Sequence, residues 1–259
     1  KRQTTADHPY SLAGPRALRA ALDELKAICA EAGYPLHGDL KSNFRLPTAA
    51  GAARQTCLAP ETMIAGDLSR PEPFALADLP GFRDFNAKLA IANLQSLVNS
   101  YQLSVIGLPL PQAPTRRDAY ATDLALLFDR ADYREQLIEA WRPLLANAPK
   151  RIGLPAILGL DHAIEAKRHL DSALGVELFE IPILPPSVPG MRLFNLLRDD
   201  FQKHGGRIII GPTASGHVVD KRAIVTADMN GRVRDYEAEV ILLATGGFLH
   251  GGLTGEFEG

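Results

Sequence analysis

Residues 240–244, Val240, Ile241, Leu242, Leu243 and Ala244, form an unbroken apolar run that opens into Thr245, Gly246 and Gly247. A strand with one face in water alternates apolar and polar side chains. A run without alternation needs cover on both faces, the condition met in a parallel sheet packed between helices. In such sheets ligands bind beyond the carboxyl ends of the strands, where glycines let a backbone approach a cofactor with no Cβ in between. The run therefore predicts an α/β fold, and it makes Ala244, Thr245, Gly246 and Gly247 candidate cofactor contacts. A strand that simply ends in a turn would carry the same glycines.

The stretch before it supports this reading. Pro189 and Gly190 open a helical pattern in which Leu193, Phe194, Leu197 and Phe201 recur at spacings of three and four, closed by Lys203, His204 and Gly205. Basic residues in a last turn suit the negative helix end, and glycine suits a left-handed cap. Short strands are expected at 207–210, 218–219 and 223–227, with Asn230 and Gly231 as a hairpin turn from which 236–243 returns into the apolar strand.

Toward the other end, Leu18, Leu22, Leu25, Ile28 and Cys29 form a helical stripe over 15–32, with Pro15 suited to the first turn and Gly33 to the cap. Strands are expected at 44–48 and 56–59, joined through 49–54, with Pro47 at an edge because it cannot donate to a ladder. Pro71 and Pro73 mark a boundary. Beyond it the pattern reads strand 74–79, helix 83–100 and strand 103–110. Two helices follow, opened by the pairs Thr115 with Asp118 and Asp132 with Glu135 in capping-box spacing, and Pro143 is expected to kink the second. Strand 151–158, helix 161–174 capped by Gly175, and strand 176–183 complete the series. Strands alternating with helices predict parallel pairing through right-handed crossovers. The chain is thus divided into an N-terminal helix and hairpin segment (1–70), an α/β cap domain (71–185) and part of a cofactor-binding domain (186–259).

The order of helix, strand, excursion and apolar strand ending in Ala-Thr-Gly-Gly resembles the flavin domain of fumarate-reductase-like flavoproteins. Four segments bring the resemblance closer: His8 to Ser11 (HPYS), 43–63 (NFRLPTAAGAARQTCLAPETM), 185–193 (PPSVPGMRL) and 243–253 (LATGGFLHGGL). In this order, across nearly the whole chain, they resemble the B subunits of anaerobic glycerol-3-phosphate dehydrogenase. The resemblance implies a Rossmann-like flavin domain with an inserted cap, and a bound FAD or FMN in the full-length protein. It also implies a complex with a catalytic flavoprotein, the A subunit, together with an iron-sulphur protein, the C subunit, that docks at the membrane. The activity implied is oxidation of sn-glycerol 3-phosphate to dihydroxyacetone phosphate with electrons passed to quinone, in the cytoplasm and peripheral to the inner membrane.

One departure is large: no Gly-x-Gly-x-x-Gly follows any early strand. A dinucleotide-binding turn needs those glycines to hold pyrophosphate at a helix N-terminus. The expectation is therefore an internal piece of a longer flavoprotein, with that turn upstream. Two alternatives stay open: a flavin-free module that docks a catalytic flavoprotein, and a fumarate-reductase-like or tRNA-modifying flavoprotein.

The balance of 28 basic against 30 acidic residues over 259 positions leaves a net charge of −2, which gives no electrostatic case for nucleic acid. No apolar stretch is long enough to span a bilayer, so membrane contact is expected only through a partner. Cys29 and Cys57 read as thiols of a reduced compartment. His162 and His169 are seven apart, not the four of a helical metal pair, and neither zinc nor an iron-sulphur centre is expected.

Oxidising an alcohol on a flavin requires a base for the hydroxyl proton and a path for hydride. Arginine pairs with phosphate oxygens two at a time, so Arg54 and Arg192, in the most family-like segments, are candidate substrate contacts. Surface or interdomain ion pairs are the competing role. Among the histidines His8, His217 and His250, the last stands close to the glycines after the apolar strand and is the candidate proton acceptor. Asn43, Thr48 and Thr56 are polar among apolar neighbours and are expected to satisfy local backbone.

Overall fold

The computed structural model describes residues 9–97, 103–111, 120–219, 222–242 and 244. Its helices and strands run α1 (Pro9–Glu31), β1 (Leu36–His37), β2 (Phe44–Pro47), β3 (Ala53–Thr56), β4 (Ala59–Pro60), α2 (Glu61–Ile64), β5 (Phe74–Asp78) and α3 (Ala87–Leu97). They continue with β6 (Leu103–Gly107), α4 (Ala121–Phe128), α5 (Ala131–Leu145), β7 (Arg151–Pro155), α6 (Ala163–Leu174), β8 (Glu177–Ile181) and α7 (Val188–Lys203), and close with β9 (Thr213–Val219), β10 (Arg222–Met229) and β11 (Arg232–Ala238). Two compact units are present, one ending at His204 and one beginning at Gly205.

The first unit is organised by a four-stranded sheet in the order β6-β5-β7-β8, parallel throughout. β5, β7 and β8 are almost wholly buried, whereas β6, at the edge, is half exposed. Their sequences obey that difference: Phe74-Ala-Leu-Ala and Ile152-Gly-Leu have no polar alternation because helices cover both faces. β7 has room for its neighbours at Gly153, where a Cβ would lie 2.5 Å from Leu76 and 2.7 Å from Phe179. Phe179 in turn meets Phe74 edge to face with centroids 5.5 Å apart. Trp141 on α5 is fully buried and donates its indole N–H to the Pro109 carbonyl at 2.7 Å, tying the helix to the segment after β6.

Arg151 opens β7 in the core. Its guanidinium donates to the carbonyls of Ala65 (2.8 Å), Asp67 (2.9 Å) and Glu72 (2.8 Å), so the loop after α2 is pinned to the start of the sheet by one side chain. A buried charge of this kind is tolerated because its donors are matched. The hairpin β2–β3 is closed by Thr48, whose hydroxyl accepts from the Ala52 amide at 3.0 Å, while Asn93 on α3 donates to the Ala50 carbonyl at 2.8 Å. Thr56 likewise donates to the Leu58 carbonyl, so both threonines serve local backbone as expected.

Several sequence expectations hold and several are corrected. Helix α1 restarts at Pro15 after Gly14 (φ 77°, ψ 160°), and Gly175 caps α6 in the left-handed region. The second hairpin strand starts at Ala53, not at 56, because the Thr48 turn is tighter than a 49–54 connection; Arg54 is therefore a strand residue. Asp132 is not a cap. It lies in the first turn of α5 and pairs with Arg130 at 2.5 Å, and α5 runs on through Pro143. The pair Thr115 and Asp118 lies outside the described residues.

The second unit is an antiparallel meander, β11-β10-β9, turning at Asn230 (φ 52°) and Gly231 (φ 87°) as the sequence predicts. The apolar strand expected at 240–244 is a correction: Val240 and Leu242 are 83% and 89% exposed, and neither they nor 207–210 belong to a strand. The physical reason is a missing neighbour. The β10–β11 ladder ends at Ala223 opposite Ala238, and no other described strand pairs beyond it.

Gly51 (φ +76°) turns the hairpin tip so closely onto α3 that a Cβ would lie 2.3 Å from the Ala90 carbonyl oxygen. Gly51→Ala is expected to cost about 1–3 kcal/mol of stability through this backbone clash. Urea denaturation of the variant against the parent chain measures it.

Candidate functional site

α7 approaches the sheet at its carboxyl end, and the residue that makes the approach is Arg192. Its Nε donates to the Gly159 carbonyl at 2.7 Å, its Nη1 to Glu180 Oε2 at 2.6 Å and to the Tyr34 hydroxyl at 3.4 Å, and its Nη2 to Glu180 Oε1 at 2.8 Å and again to Gly159. Arg192 is only 4% exposed and Glu180 only 2%. Glu180 Oε1 also accepts from the Leu158 amide at 2.8 Å. Burial alone would push the guanidinium down, but the charge and hydrogen bonds of Glu180 outweigh it and hold Arg192 above the ordinary arginine range. Burial pushes the Tyr34 phenol up, opposed by the Arg192 charge.

The loop that supplies Gly159 is held from its other side by Asp129. Asp129 Oδ2 accepts from the amides of Leu160 (2.9 Å) and Asp161 (3.0 Å), and Oδ1 accepts from His162 (2.8 Å). An anion placed against successive amides at a helix N-terminus is favourable. Here the anion is the protein's own carboxylate, and the amides it takes are those of the three residues that lead into α6, whose first helical residue is Ala163. Gly159 (φ +100°) lets the loop pass over Asp129, since a Cβ there would lie 2.4 Å from Oδ1.

Between the end of α1, this loop and α7 lies a cleft of about 520 Å³. Glu31, Asp161, Glu165, Asp199 and Asp200 line it, against Lys203, which is paired with Glu31, and Arg192, which is paired with Glu180. A phosphate would meet a net negative wall, so the cleft suits a neutral or cationic group.

The sequence-derived site residues are not brought together in the described structure. Arg192 has internal partners on all three nitrogens. Arg54 is exposed on β3, opposite Leu46, and among the described residues it has no ion-pair partner. Ala244 is exposed. Thr245, Gly246, Gly247 and His250 lie outside the described residues. Glu180, Tyr34 and Asp129 were missed by sequence reading; their spacing of many residues from their partners leaves no local pattern, although a lone Glu in the apolar run Leu178-Phe-Glu-Ile is a signal of buried charge. Glu61, inside segment 43–63, receives Arg168 of α6 through two contacts of 2.8 and 2.9 Å and so fastens that segment to the helix beside the cleft. Among the described residues no group of three or more His, Cys, Asp or Glu side chains could hold a metal, Cys29 and Cys57 are free, and no helix is long and apolar enough to cross a membrane.

A mixed α/β chain whose first unit is built on a parallel sheet, followed by a second unit, is consistent with a flavoprotein domain, and the comparisons define the class. The FAD binding domain family matches residues 2–259, and the chain belongs to that family. Among curated proteins it is similar to the B subunit of anaerobic glycerol-3-phosphate dehydrogenase from Pectobacterium atrosepticum, 31% identical over 258 residues that cover 97% of this chain and 60% of the relative. The same protein of Pectobacterium carotovorum is 31% identical over 259 residues, with 97% and 60% covered, and that of Actinobacillus pleuropneumoniae 27% over 262 residues, with 97% and 61% covered. The chain thus spans about three fifths of the length of these relatives. No solved structure matches it.

The described residues do not by themselves form an FAD cradle. No glycine-rich turn follows a strand of the parallel sheet, Asp129 takes the amides of the loop that leads into α6, and at α7 the Gly190 amide donates to the Ser187 hydroxyl.

Glu180→Gln should leave the Arg192 charge buried without its counter-ion and cost about 3–5 kcal/mol, whereas Glu180→Leu combined with Arg192→Met should recover much of that loss. Urea denaturation of the two variants measures the difference. A second expectation concerns acid. The hydrogen bond from Arg168 holds the Glu61 carboxyl below the usual range. The stability it contributes is fully present above the ordinary carboxylate value of about 4.3 and is lost as pH falls through the lower folded value. Glu61→Gln should therefore flatten the acid limb of the thermal-stability profile without changing its neutral plateau's shape.

Proposed function

We propose that this chain is the larger part of an FAD-dependent oxidoreductase subunit of a respiratory glycerol-3-phosphate dehydrogenase, acting on sn-glycerol 3-phosphate and passing electrons toward quinone. The observation that carries the reading is the FAD-binding family match over residues 2–259 together with relatives named as the B subunit of that enzyme. FAD, not FMN, is the cofactor the family supports. A name that specifies one subunit supports partners in a complex, and a catalytic flavoprotein A subunit with an iron-sulphur C subunit at the inner membrane is the assembly proposed. In this reading residues 71–185 form the cap and 186–259 part of the flavin domain.

The exposed runs Ile208 to Ile210 and Val240 to Leu242 support an incomplete sheet: six apolar side chains in water are the composition of buried strands. Bound FAD would supply hydride acceptance from the alcohol carbon. Ala244, Thr245, Gly246 and Gly247 are proposed to face the flavin, and His250 to take the hydroxyl proton. Arg54 is proposed as the contact for the substrate phosphate. Arg192, with its donors engaged, enters the proposal as a positioning residue for the loop at Gly159.

The test uses a polypeptide extended to the length of the relatives. Tightly bound FAD whose visible absorbance bleaches when sn-glycerol 3-phosphate is added without oxygen is the expected result, and Arg54→Gln should raise the substrate concentration needed by about tenfold, the loss of a charged contact worth about 1.4 kcal/mol. A protein that carries no flavin would favour a docking module, and bound FAD that the substrate cannot bleach would exclude this reaction.

A further inference from the structure

We draw no further inference here: the strongest candidate, the cleft between the end of α1, the 159–162 loop and α7, is a cluster of acidic side chains whose buried polar members, Arg192 and Tyr34, already have partners within the fold, and nothing in the structure shows what would occupy it.

Discussion

The buried pair of Arg192 and Glu180 is the constraint on which the first unit depends. Glu180 on β8 and Arg192 on α7 are twelve residues apart, and their contact, with the Gly159 carbonyl and the Tyr34 ring and hydroxyl, joins the central sheet to the last helix and to the segment after α1. A guanidinium taken out of water loses several kcal/mol of hydration, which only good geometry and complete hydrogen bonding offset. Both conditions hold here. The pair thus fixes where α7 can lie, and Asp129, which takes three amides of the 160–162 segment, in turn holds the loop that supplies Gly159.

The helix opened at Pro189 and closed by Lys203, His204 and Gly205 is found as α7, and the same constraint sets which of its faces is buried. The stripe of Leu193, Phe194, Leu197 and Phe201 has the spacing of a buried face, yet Phe194 and Phe201 are 53% and 50% exposed while Val188 and Arg192 are buried. Burying Arg192 against Glu180 leaves Phe194 and Phe201 facing outward, with Leu193 and Leu197 half-buried. Hydrophobic periodicity assumes that apolar residues choose the face, and one matched internal charge is enough to choose another.

Legibility in the sequence followed locality. The strands from Phe74 to Ile181, the cap at Gly175, the restart at Pro15 and the Asn230-Gly231 turn all rest on patterns within a few residues, and each is found in the structure. Family membership was legible for a related reason, since the segments 43–63 and 185–193 are continuous. What was not legible depends on partners far apart in sequence: Arg151 on the carbonyls of Ala65, Asp67 and Glu72, Asp129 under the 160–162 loop, and Arg192 on Glu180. Arg192 illustrates the difference between residue type and residue role, because a phosphate-competent side chain is here neutralised by its own fold.

A hydrogen-exchange map of the intact chain at neutral pH tests the central claim most directly. If the Arg192–Glu180 pair binds α7 into the first unit, the segments around 157–160, 177–181 and 188–196 exchange together, with protection close to that of the whole unit. If 188–196 instead exchanges freely while the parallel sheet stays protected, the pair is not the constraint that holds this structure together.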